Sequence, residues 1–171
     1  MLQKIKSCFT TAQGKVPGRD VRRVLLVAAA ALALFLCGCS SFNRAWRNAA
    51  SEPVRADSLE GRWQGRWVSD VNGHNGQLRC LISQQDEGQY AARFRATYMR
   101  VLRFSYTVPL TAERSNGVWH FHGEEDLGKM AGGVYRYVGT ATSNQFHSTY
   151  RSKHDHGVFE MDRVVQDANV P

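Results

Sequence analysis

Between Leu59 and Val165 the chain is dominated by one pattern: apolar and polar residues alternate with period two, interrupted by turn residues. The clearest run sets Tyr90, Ala92, Phe94, Ala96 and Tyr98 against Arg93, Arg95 and Thr97. Successive side chains of a strand point to opposite faces, so such a run predicts a half-buried strand and excludes a helix, whose apolar residues recur three or four apart. Trp63, Gly65 and Trp67 alternate with Arg62, Gln64 and Arg66; Leu78, Cys80 and Ile82 with Gln77 and Arg79; Phe104, Tyr106, Val108 and Leu110 with Arg103, Ser105 and Thr107. Shorter runs follow around Trp119 and Phe121, Tyr135 and Tyr137, Phe146 to Tyr150, and Phe159 and Met161. Asn72-Gly73, Gln85 to Gly88, Ser115-Asn116-Gly117, Ser143-Asn144 and Lys153 to Gly157 separate them as turns. Pro109 cannot donate to a ladder, so its strand is expected to bulge or end nearby.

Eight short strands joined mostly by short turns imply antiparallel neighbours. The expected fold is all-β: an eight-stranded up-and-down meander closed into a barrel, which removes exposed strand edges. A two-sheet sandwich is the alternative, but no long crossover of the Greek-key kind is visible. Residues 59–165 are enough for one core. Trp63, Trp67, Phe94, Tyr98, Tyr106 and Trp119 are the expected barrel lining. In an eight-stranded barrel such residues either surround a cavity or fill the interior. The mix of small and large inward residues, Ala92 and Ala96 among Phe94 and Tyr98, is the case for a cavity holding a small apolar ligand.

Gly61-Arg62-Trp63 resembles the Gly-x-Trp opening of lipocalins and the wider calycin group. That resemblance implies an Arg near the last strand stacked over the first-strand Trp. Arg163 is positioned for it, so Trp63 and Arg163 are the expected barrel-end pair, joined by a cation–π contact.

The N-terminus reads as an address. Basic residues of 1–23 precede an apolar run, Val24 to Leu36, too short for a helical span of about 20 residues. A basic region, a short apolar region and a small-residue processing site form an export signal. Leu36-Cys37-Gly38-Cys39 resembles a bacterial lipobox. The resemblance implies cleavage before Cys39, a diacylglyceryl group on its thiol and acylation of its amine. Two or three acyl chains, palmitate for example, anchor stably where one is marginal. Arg22-Arg23 followed by Val24-Leu25-Leu26 partly fits a twin-arginine signal, against general secretion. Ser40 after the Cys, by resemblance to enterobacterial sorting, favours the outer membrane facing the periplasm over the inner membrane. The organisation is thus a signal peptide over 1–38, a lipidated N-terminus and flexible tether over 39–58, the barrel over 59–165 and a tail over 166–171. As a coil the tether would reach about 24 Å. Alternatively Phe42, Trp46, Arg44 and Arg47 lie at lipid headgroups or form a short helix under the domain.

Removing the signal changes the totals. The net charge of +7 falls to +2, with 16 basic and 14 acidic residues left, so the charge argument for nucleic acid largely disappears. Cys8 and Cys37 leave with the signal and Cys39 carries lipid, so Cys80 has no disulfide partner and reads as a small buried apolar residue. His120 with His122, and His154 with His156, are pairs; zinc normally takes three or four ligands. Glu124-Glu125-Asp126 lacks EF-hand spacing. No nucleophile or phosphate-loop motif is present, so neither enzyme chemistry, a metal nor a cofactor is expected. The expected role is an envelope lipoprotein, held to the membrane through Cys39, whose barrel binds a small apolar ligand. Alternatives are a structural or assembly factor whose outer arginine face meets an envelope protein or anionic headgroups, and an inhibitor of a lysozyme-type enzyme.

Overall fold

A computed structural model of the chain describes residues 41–165 apart from 54, 56 and 100. The apolar run, the twin arginines, Cys39 and the 166–171 tail lie outside the described residues. Eight antiparallel strands close into an up-and-down barrel in chain order: β1 (Gly61–Ser69), β2 (Asn75–Asp86), β3 (Gln89–Tyr98), β4 (Leu102–Ser115), β5 (Val118–Asp126), β6 (Val134–Ala141), β7 (Gln145–Arg151) and β8 (His156–Arg163). One 3-10 turn, Lys129–Ala131, lies between β5 and β6. β1 pairs with both β2 and β8, so the sheet has no free outer strand.

The turns carry their own reasons. Asn116 and Gly117 both have positive φ, 51° and 82°, the geometry that lets a two-residue hairpin follow the strands' right-handed twist. At the β1–β8 seam, a Cβ on Gly65 would sit 2.0 Å from the Glu160 carbonyl oxygen. Only the missing side chain lets the two strands approach this closely.

Inward residues form two stacked aromatic layers. In the lower layer Phe146 lies 5.7 Å from Trp63 and 4.7 Å from Phe121, between ring centroids. In the upper layer Phe94 on β3 meets Tyr106 at 5.5 Å, Tyr137 at 6.1 Å and Phe159 at 5.4 Å. Tyr137 and Phe159 belong to β6 and β8, neither of which neighbours β3 in the sheet. These contacts therefore cross the barrel axis and occupy it with rings.

Two features depart from the simplest reading of the sequence. Within the 39–58 stretch expected as a tether, with a short helix as the alternative, residues 41–48 form that helix, here α1, packed against the barrel wall with Phe42 fully buried. The strand through Pro109 neither bulges against β3 nor ends: Ala91 faces Pro109 within an unbroken register. What stops there is pairing with β5, which runs only from Leu110 to Ser115. The β3–β4 hairpin therefore stands beyond β5 on that side. Phe104, whose parity points inward, is 54% exposed because it lies in this overshoot.

Candidate functional site

The closed end of the barrel is built around Trp63. Its indole N–H donates to the Leu59 carbonyl at 3.1 Å. Arg163, directly opposite Trp63 in the β1–β8 register, lays its guanidinium 4.1 Å from the ring centroid. Its Nη1 and Nη2 donate to the Glu60 and Ser58 carbonyls, each at 2.6 Å, and its Nε donates to the Ser143 carbonyl. A planar fork can serve three acceptors while stacking, which no other side chain does. Burial lowers the Arg163 pKa from its ordinary value.

The other expected lining residues also face the interior. Phe94 is buried, while Trp67, Tyr106 and Trp119 are half-buried against the core. Tyr98 sits at the opposite rim, stacked on Trp67 at 6.0 Å, with its hydroxyl 2.9 Å from His74 Nδ1. Burial pushes the Tyr106 phenol well up, reinforced by its hydrogen bond with Tyr137; burial also pushes Tyr137 up. Tyr150 is raised first by burial and then by Asp155, whose carboxylate accepts its hydroxyl at 3.3 Å. Ser69, almost fully buried, donates to the same carboxylate at 2.6 Å.

The outer wall holds a constellation that strand parity alone does not reveal. Phe42 and Trp46, one helical turn apart on α1, stack at 5.8 Å. Arg93 and Arg95 each lie 5.6 Å from the Phe42 ring; Arg62 and Arg79 lie 5.5 and 5.3 Å from the Trp46 ring. Arg93 Nη2 donates to the Ser41 hydroxyl at 2.6 Å, and Arg95 Nη1 donates to the Asn43 side-chain carbonyl. Arginines expected to face solvent thus clamp a helix, Arg95 buried and Arg62, Arg79 and Arg93 partly so, as an uncharged ring permits. The i, i+4 spacing of Phe42 and Trp46 was the available signal; its partners, separated by up to about 50 residues, were not.

Beside this clamp lies a groove of about 840 Å³, with Arg66, Arg79, Arg95 and Arg103 among its lining residues and no carboxylate. Arg66 pairs with Glu160 at 2.7 Å, both exposed. The groove ends at the β3–β4 turn, where Met99 (69%), Val101 (79%) and Leu102 (52%) are exposed alongside Phe104.

His120, His122, His154 and His156 are exposed and stand in pairs; among the described residues no cluster of three metal-ligating side chains forms. Cys80 is buried, and burial raises its thiol well above the ordinary range. Comparison of the chain with protein-family models, curated proteins and solved structures finds no match.

Proposed function

We propose that this is a lipid-anchored protein of the bacterial cell envelope that acts by noncovalent binding at its outer wall, with the barrel as a rigid support. The observation that carries this choice is Phe94, in ring contact with β4, β6 and β8 at once. An apolar ligand on the axis would have to displace a ring that touches three others. The outer wall, by contrast, offers an open groove rich in arginine. The anchor rests on the lipobox-like Leu36-Cys37-Gly38-Cys39. The role is binding, with the structural or assembly alternative of the sequence favoured over a carrier.

Native mass spectrometry of the protein purified from membranes tests both halves. The expected spectrum begins at Cys39 with added acyl mass and shows no apolar ligand held until unfolding. Cys39→Ala is expected to lose the added mass. A retained apolar ligand that leaves only on unfolding would overturn the outer-wall reading, and an unmodified N-terminus elsewhere would remove the anchor.

A further inference from the structure

Two unusual surfaces of the described chain are contiguous. The first is the groove, where Arg66, Arg79, Arg95 and Arg103 converge with Asn43 and Gln77 and no acidic residue lines the wall. The second is the tip of the β3–β4 hairpin, where Met99, Val101, Leu102 and Phe104 are all more than half exposed. Met99 and Arg103 belong to both. The tip is not apolar by default, because Met99 holds φ at 49°, a conformation that Gly or Asn adopts more easily. Basic side chains beside protruding apolar ones match a headgroup layer, where phosphates lie next to the acyl boundary.

The chain's course adds a third observation. Ser41, in α1 and the first described residue, is tied to the wall through Arg93. Cys39 lies two residues upstream, at most about 7 Å of extended chain. A docked α1 therefore leaves little slack between an acylated Cys39 and the wall of β1–β3. With the anchor proposed above, the bilayer lies near this wall, and the wall carries the arginines.

The geometry points to a bilayer-docking face: the groove arginines take the phosphates of anionic lipid headgroups, and the β3–β4 tip enters the headgroup layer. This deepens the outer-wall reading and rests on it. The anchor holds the protein at the membrane, and the face fixes which side of the barrel lies against it.

The test uses the full protein purified from membranes and reconstituted on vesicles of phosphatidylcholine, or of phosphatidylcholine with phosphatidylglycerol. Amide exchange is followed by mass spectrometry over residues 98–104 and over the distant 114–119 turn. Expected is slowed exchange at 98–104 on the anionic vesicles only, reversed by high salt, with 114–119 unchanged. Arg66→Gln with Arg103→Gln spares the arginines that hold α1. Each arginine contributes about fivefold to contact with anionic lipid, so this pair should lower the docked-to-undocked ratio of the anchored protein about 25-fold, read as lost protection at 98–104. Val101→Ser should weaken it separately, and circular dichroism checks that each variant is folded. Equal slowing on both vesicle types overturns the proposal, as does slowing on neither. Equal slowing by inorganic phosphate alone, or slowing that needs intact membranes with their other proteins, also overturns it. Failure of the anchor is read independently, as failure to float with the neutral vesicles. Failure of the outer-wall reading is read from an apolar ligand mass that leaves only on unfolding.

Discussion

Replacing Arg163 with alanine removes one side chain that ties three pieces of backbone to one ring. The guanidinium lies 4.1 Å from the Trp63 centroid and donates to carbonyls of Ser58, Glu60 and Ser143. Ser58 and Glu60 are half-buried, so water can replace part of what they lose. A hydrogen bond from a charged donor is worth about 1.5–3 kcal/mol, and only about one is counted in full here. The partly desolvated cation–π contact adds about 1–2 kcal/mol. Lost packing of the buried stem adds roughly 1 kcal/mol. The expected cost is therefore about 4 kcal/mol, or a fall in Tm on the order of 15 °C for a domain of this size. Urea unfolding followed by tryptophan fluorescence measures it, as a shifted midpoint at constant m. Arg163→Lys keeps a charge near the ring but not the three-way fork, and should recover about half of the loss. A loss below about 1 kcal/mol for alanine, or a lysine variant equal to the parent, would refute the plug argument.

Gly65→Ala places a methyl group where the Glu160 carbonyl and the Met161 backbone already sit. The β1–β8 seam should lose about 3 kcal/mol or fail to close, seen as lost near-ultraviolet dichroism. Phe42→Ala removes the buried ring held by Arg93 and Arg95. Exchange over 41–48 should accelerate and trypsin should cut at Arg44 and Arg47, while the barrel's own midpoint stays nearly fixed. Stability should begin to fall at about pH 9, where the thiol of unfolded Cys80 ionises, and fall more steeply above about pH 10, because the Cys80 thiol and the Tyr106, Tyr137 and Tyr150 phenols are all raised in the folded state. Above that pH the unfolded chain binds fewer protons than the folded one, so Tyr137 alone contributes a loss of about 1.4 kcal/mol per pH unit. A urea midpoint flat to pH 11.5, as an order-of-magnitude limit on the window, would contradict it. Cys80 should resist thiol reagents in the native protein and react at the rate of unfolding.

The barrel was legible because every inward position repeats one rule, and the rule is local. Tyr90 to Tyr98 alternate, and the later turns carry Gly, Asn or Ser, except the one directly after Tyr98, which has none of them. Trp63 and Arg163 were legible only through the calycin resemblance; the closed meander, which brings the first strand beside the last, then sets them opposite one another. The docked helix was harder. Alternation marks Arg62, Arg79, Arg93 and Arg95 as outward but carries no information on what lies outside. Their partner rings come from a segment that precedes the sheet, and the contact needs β1, β2 and β3 side by side. The hairpin overshoot was hidden in the same way. Whether Phe104 is core or surface depends on how far β5 extends beside β4, and pairing that begins at Leu110 leaves it uncovered.

The arginine wall also shows why α1 and the groove belong to one arrangement. Arg95 is 93% removed from solvent. A guanidinium there is costly unless polar or aromatic groups replace its water. Phe42 and Asn43 supply those groups, one as a ring face and one as a carbonyl. Asn43 at the same time lines the groove. Arg79 likewise rests on Trp46 and reaches Gln64 through Nε at 3.1 Å while its surface faces the same space. The helix thus holds Arg79 and Arg95 in fixed directions, whereas Arg66 and Arg103 remain outside its reach. A ligand entering the groove meets two arginines already ordered by the helix. The entropy of fixing those two long side chains is then lost on folding and not on binding. An undocked α1 would leave the charges in place but return that ordering cost to the binding step.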